Sequence, residues 1–157
     1  MKRRELQALQ RVPDKRLEGC QFGPCRKGKL PKPLEKLGGE RFKVTPLYEV
    51  NPTLRAVFIW KTAEVREQRA LYGWLFQETP RGLVPLVRLD YHPSHKNLHL
   101  VLNCERDLDL TNRGLPGCKE LALHEVDWDP DDASDRQQFV KVFCERLKID
   151  LEQPWLL

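Results

Sequence analysis

Between residues 55 and 104 the chain presents successive runs rich in β-branched and aromatic residues, joined by links too short for a crossover. The runs are residues 55–65 (RAVFIWKTAEV), 68–79 (QRALYGWLFQET), 83–91 and 98–104. Pro80-Arg81-Gly82 forms one junction and the polar stretch 92–97 another. A parallel crossover needs a dozen or more residues, so these runs must pair as antiparallel neighbours. Residues 41–50 (RFKVTPLYEV) form a weaker candidate because Pro46 interrupts the run. The expected outcome is an antiparallel meander of four to five strands.

A helix is expected over residues 134–148, where Phe139, Val140, Val142, Phe143 and Leu147 form an apolar stripe able to cover one sheet face. Asp132 or Ser134 can cap it. The preceding stretch 125–135 (EVDWDPDDASD) holds six acids and no base, which suits the positive end of a helix dipole. Residues 1–12 read as a short helix, with Leu6 and Leu9 three apart and Val12 beyond, stopped by Pro13. The fold class is therefore α+β: a meander packed by a C-terminal helix, preceded by a basic N-terminal helix and an extended arm. The apolar tail 154–157 is expected to pack down.

Charge divides the chain unevenly. The whole carries 27 Lys+Arg against 23 Asp+Glu, net +4. Residues 1–44 hold 13 basic and 5 acidic residues, net +8, and residues 45–157 hold 14 and 18, net −4. Residues 13–46 are also rich in Pro and Gly. The domain reading is thus a basic helix and arm over residues 1–41 and one α+β domain over 42–157. The arm either wraps the domain or orders on a polyanion. Arg26, Lys27, Lys29, Lys32 and Lys96 are the expected nucleic-acid contacts, with RNA as the favoured partner. For the acidic run 125–135 a solvated helix start is the first reading, and folding against the arm to neutralise it until a polyanion competes is the second.

Several classes are excluded. No apolar run approaches the roughly 18–20 residues needed to cross a bilayer. The N-terminal stretch lacks the apolar core of a secretory signal. Five cysteines, an odd count, fit free thiols in a reducing compartment, so a cytoplasmic location is expected.

The chemistry concentrates in one hairpin. His92, His95 and His99 fall within eight residues, in the stretch 88–103 (RLDYHPSHKNLHLVLN). Side chains alternate along a strand, so Val87, Leu89 and Tyr91 share one face, and Arg88, Asp90 and His92 the other. Matching apolar to apolar on the returning strand puts Leu89 opposite Leu100 and Val87 opposite Leu102. The same register sets Asp90 opposite His99, His92 opposite Asn97 and Arg88 opposite Val101. One face then carries a guanidinium, a carboxylate and two imidazoles, a set able to cleave a phosphodiester without a metal. His92 and His99 are the expected acid/base pair, Asp90 the group that orients an imidazole, and Arg88 the phosphate clamp. A polar outer strand face with a cross-strand Asp–His contact is the structural alternative. His95 can be a turn residue alone, and His124 reads as structural.

No cofactor is expected. Cys20 and Cys25 stand at a spacing that zinc ligands can use, in a Gly/Pro-rich setting, but no second close pair completes a site. Whether they bind zinc stays open in the sequence. Cys144 lies on the apolar side of the expected helix. No phosphate-binding glycine loop is present.

The stretch Arg88-x-Asp90-x-His92-Pro93, followed by His95 and His99, resembles the RxDxxPHH-type signature of TumE-like toxins, small proteins of bacterial and archaeal toxin–antitoxin modules. The likeness covers some fifteen residues. Arg88 and Asp90 match, whereas here His92 stands before Pro93, and Pro93 is not followed directly by two histidines. It implies a sheet-based toxin acting on RNA or translation, with an antitoxin partner. Two readings result. One is a small metal-independent RNA-cleaving or RNA-directed toxin-type protein of a prokaryotic toxin–antitoxin or defence system. The other is a non-catalytic adaptor that binds nucleic acid or a partner protein through the basic arm. Trp60, Tyr72, Trp74 and Phe76 are candidates to stack bases, with Trp74 and Phe76 better placed in a core.

Overall fold

A computed structural model describes residues 3–28, 30, 34–103 and 118–152. The elements in chain order are helix α1 (Arg3–Arg11), strands β1 (Arg16–Leu17), β2 (Gly23–Pro24), β3 (Phe42–Val44), β4 (Tyr48–Asn51), β5 (Leu54–Lys61), β6 (Ala70–Thr79), β7 (Gly82–His92), β8 (Asn97–Asn103) and β9 (Cys118–Ala122), helix α2 (Ala133–Leu147) and strand β10 (Asp150–Leu151). The class is α+β, with an antiparallel sheet covered by the C-terminal helix, as expected. The strand count is not. The main sheet has eight strands in the order β2-β3-β5-β6-β7-β8-β9, with β4 also on β5. No helix among the described residues is long and apolar enough to cross a membrane.

The added strands have local causes. Pro46 does not abolish the 41–50 strand but divides it. β3 and β4 both pair with β5, one on each side of the break. Thr45 bridges the gap: its Oγ1 accepts from Phe58 N at 3.0 Å and its own N–H donates to Phe58 O at 3.0 Å. β9 lies where the sequence looked irregular, since its five residues (CKELA) carry no alternating pattern.

The register of β7 on β8 is the one expected: Leu89 faces Leu100, Val87 faces Leu102, Asp90 faces His99, His92 faces Asn97 and Arg88 faces Val101. The register of β6 on β7 contains an irregularity. Leu75 pairs with Val87 but Phe76 pairs with Pro85, leaving Leu86 as an extra residue. Proline has no N–H to give a ladder, which is why such a bulge tolerates one. The extra residue decides the site. With it, Trp74 lies opposite Arg88 and Tyr72 opposite Asp90. A uniform register continued from Phe76–Pro85 would instead set Gly73 opposite Arg88, on the other face.

The sheet is buried on both faces. α2 lies on one, where Phe139, Val140, Phe143 and Leu147 pack with Phe58, Leu71, Leu75, Leu89, Leu100 and Tyr91. Gly73 is required here: a Cβ would stand 2.9 Å from Phe143 Cδ2 and 3.1 Å from Phe58 Cε1. Asp132 caps α2 by accepting from Asp135 N at 3.0 Å. On the opposite face Val57, Ile59, Trp74, Phe76 and Val101 are covered by Cys25, Leu30 and Leu34 of the arm. The arm is therefore a second layer of the fold, with Leu17 at 1% exposure on the α2 side. β1 pairs in parallel with β10, tying the arm to the C-terminal region. Lys15, 2% exposed, donates from Nζ to Leu9 O at 2.6 Å, Gln10 O at 3.1 Å and Leu147 O at 2.6 Å. Its charge thus sits at the C-terminal ends of both helices, where the dipoles favour a cation.

Among the described residues no ion pair joins the acidic run to the arm, and the run's partners are Arg66 and Arg69, in the link between β5 and β6. Asp127 pairs with Arg66, Asp129 accepts both contacts from Arg69 Nη1 at 3.0 Å, and Asp131 lies 2.9 Å from Arg69 Nε. Asp131 also accepts from Trp60 Nε1 at 2.9 Å. Cations in the β5–β6 link thus satisfy these carboxylates, in keeping with the run as the start of α2.

Candidate functional site

Antiparallel partners share a face, so the ladder lays the candidate residues out in rows across the sheet. One row runs Val57, Trp74, Arg88, Val101, and the next runs Ile59, Tyr72, Asp90, His99, Ala122. His92 stands beyond them, opposite Asn97 at the mouth of the β7–β8 hairpin. Sequence reasoning placed Arg88, Asp90, His92 and His99 on one face, and the structure brings all four together.

Asp90 is the centre of the cluster. Arg88 donates from Nε to Oδ1 at 2.6 Å and from Nη2 to Oδ2 at 2.8 Å, a bidentate pair between residues two apart on one strand. His99 Nε2 stands 3.3 Å from Asp90 Oδ2. Burial pushes the Asp90 carboxyl up, but the hydrogen bond from His99 and the charge and hydrogen bonds of Arg88 outweigh it, holding the group below the usual carboxylate range. Asp90 and His99 are 2% and 5% exposed. The Arg88 fork, expected to hold phosphate, is here engaged by Asp90, and its Cζ lies 5.1 Å from the centre of the Trp74 ring.

His99 has one unmet group. With Nε2 turned to the carboxylate, its buried Nδ1 makes no hydrogen bond among the described residues. An orphaned buried polar atom costs about 1–3 kcal/mol and calls for a reason. The His92 ring lies 6.0 Å from the His99 ring at an interplanar angle of 26°. His92 is half-buried and its pKa is pushed down, by burial first and then by the nearby His99, Arg88 and His95, with Asp90 opposing. At neutral pH it is a free base.

Tyr72, which sequence reasoning named as a base-stacking candidate, is not placed by it beside the hairpin histidines. Its ring is 5.4 Å from that of His92 at 72°, and it is the cross-strand neighbour of Asp90. Burial, and then the Asp90 charge, push its phenol up to about 12 against the opposing effect of Arg88, so it stays neutral. Its position depends on the bulge at Leu86, and Pro85 was the one signal of that bulge in the sequence. Of the other aromatic candidates, Trp74 and Phe76 are buried and stacked on each other at 5.6 Å. Trp60 is covered by Arg136, whose Cζ is 3.7 Å from its ring centre.

Arg26, Lys27 and Lys96 are exposed, whereas Lys29 and Lys32 lie outside the described residues. Lys96 occupies the hairpin link, with φ +58. His95 is exposed beside it, 6.5 Å ring to ring from His92. The link is pinned: Ser94 Oγ donates to Glu67 O at 2.8 Å, and Asn97 holds Val126 through both its amide nitrogen and oxygen, at 2.9 and 2.8 Å.

Cys20 belongs with Cys144 to the α2-side core, and Cys25 to the arm-side core, where its Sγ lies 3.6 Å from Leu37 O. Burial pushes the Cys144 thiol up to about 12, and Glu145 adds to it, which suits a core residue. Among the described residues no three His, Cys, Asp or Glu side chains converge to hold a metal. Comparison of the chain with family models, curated proteins and solved structures gave no match in any of the three.

Proposed function

We propose that the chain is an RNA-directed protein that cleaves phosphodiesters without a metal at the Asp90–His99–His92 face. The observation carrying the reading is the orphaned Nδ1 of a buried histidine whose other nitrogen is held by a carboxylate, 6.0 Å ring to ring from a second, half-buried histidine. Two imidazoles at that spacing can contact different oxygens of one phosphate, each through a hydrogen bond of roughly 2.8 Å. His92, uncharged at neutral pH, takes the proton of a 2′-hydroxyl as that oxygen attacks phosphorus. The bond to the 5′-oxygen breaks, and His99 Nδ1 supplies its proton. The products are a 2′,3′-cyclic phosphate and a 5′-hydroxyl. Asp90 fixes the His99 ring, and Arg88 keeps Asp90 ionised. His99 is covered in the resting arrangement, so the His92 ring must swing aside for both nitrogens to reach the phosphate. Lys96, with Arg26 and Lys27, supplies the sequence-independent attraction for backbone.

The local likeness to TumE-like toxins supports a toxin–antitoxin or defence setting with an acidic antitoxin as partner, and the free thiols suit the cytoplasm. The burial of Asp90 and His99 and the engagement of Arg88 favour a second reading, a non-catalytic adaptor whose cluster is structural. The test is cleavage of single-stranded RNA in the presence of a chelator, by wild type, His92→Ala and His99→Gln, with folding checked by circular dichroism. Cleavage by wild type that both variants lose supports the first reading. RNA binding without cleavage by any of the three would leave the adaptor.

A further inference from the structure

The hairpin mouth differs from the rest of the cluster in that its rings are only partly taken up: Tyr72 packs in part against the arm-side core, and His92 and His95 lie outside both cores. Trp74 and Phe76 are buried against each other, and Trp60 is occupied by Arg136 and Asp131. Tyr72 is half-buried, His92 half-buried and His95 exposed, and the three rings lie in sequence at 5.4 and 6.5 Å. They meet at steep angles, 72° and 62°. A planar group laid on one ring therefore meets the edge of the next. Among the described residues the Tyr72 hydroxyl has no hydrogen-bond partner, so this corner also offers a neutral donor and acceptor. The link that follows His92 is held through Ser94 to Glu67 and through Asn97 to Val126, which fixes the backbone beside the corner and leaves the His92 ring free to turn. Lys96 follows directly, exposed and cationic.

We infer that the Tyr72–His92–His95 corner is a nucleobase seat, and that the substrate is single-stranded RNA rather than duplex. This inference rests on the RNA-directed reading above. A base can lie against a ring only when it has left its stack, and an A-form duplex offers its backbone and a shallow groove but no open base face. Seating a base at Tyr72 also brings its ribose beside His92, the nitrogen that needs a 2′-hydroxyl. Lys96 then meets the adjoining phosphate.

The experiment is fluorescence anisotropy with a short labelled single-stranded RNA and with the same strand annealed to its complement. The wild type should bind the single strand about ten-fold tighter than the duplex. Tyr72→Ala should weaken single-strand binding about ten-fold and leave duplex binding within about two-fold. Tyr72→Phe, which keeps the ring, should lose about three-fold or less. In the unmodified protein, single-stranded RNA should shift the ring proton resonances of Tyr72 and His92, a readout independent of how any variant folds. Equal affinity for both forms, absence of binding to either, unchanged binding by Tyr72→Ala, or unmoved ring resonances would each overturn the seat. If the single strand binds in a Tyr72-dependent way but is never cut, the catalytic reading fails and the seat stands.

Discussion

His99 turns Nε2 to the Asp90 carboxylate at 3.3 Å, and its buried Nδ1 has no partner among the described residues. The pair is fixed by register, because Asp90 and His99 are directly opposed on β7 and β8. Arg88 completes it from two residues away on the same strand. The strength of such a cluster depends on all members being present.

Removing the carboxylate charge should expose that dependence. Asp90→Asn leaves Arg88 and His99 facing a neutral group in a buried setting, where breaking an ion pair costs about 3–5 kcal/mol. The urea midpoint should fall accordingly. A variant as stable as wild type would show the network to contribute little.

His92 predicts a pH dependence. Its pKa is lower in the fold than the ordinary 6.5, so the unfolded chain binds the proton more readily. Its contribution to stability is fully present above about pH 6.5 and is lost as the pH falls through the lowered value. The gap in urea midpoint between about pH 7.5 and pH 5 should shrink in His92→Gln. An unchanged gap would show that His92 does not titrate across the unfolding transition.

Gly73→Ala tests the packing of α2. The new methyl would meet Phe143 and Phe58 at 2.9 and 3.1 Å, inside normal contact. Overpacking of this kind costs roughly 1–3 kcal/mol. Thermal unfolding should register it, and Phe143→Leu in the same chain should recover part of the loss.

Lys15→Met tests the shared helix cap. Three carbonyls lose a charged donor while the apolar stem is kept. Hydrogen bonds to charged groups contribute about 1.5–3 kcal/mol, so a loss of roughly that size is expected in chemical denaturation. Hydrogen exchange at the last turns of both helices should quicken together.

What the sequence disclosed follows physical lines. The β7–β8 register was legible because Leu89, Leu100, Val87 and Leu102 have one way to meet on a buried face. The caps and stripe of α2 were legible because Asp132 and Phe143 stand at helical positions. Tyr72 was legible as a base-stacking candidate but not as a neighbour of the hairpin histidines, because a single extra residue at Leu86 sets which face of β6 meets Arg88 and Asp90. β9 was hidden since CKELA carries neither alternation nor β-branched residues. Net charge alone does not name the partners of the acidic run, which proximity to Arg66 and Arg69 decides. Spacing likewise cannot specify which core Cys20 and Cys25 join.

Lys15 and Leu147 are 132 residues apart in the chain, yet one ammonium group holds both. During synthesis the strands β2 to β9 leave the ribosome before α2 does. The cation near the start of the chain therefore waits, hydrated, until the last turn of α2 arrives to take it. A chain stalled before residue 147 would lack the Leu147 carbonyl and leave the Lys15 ammonium with the two carbonyls of α1 alone.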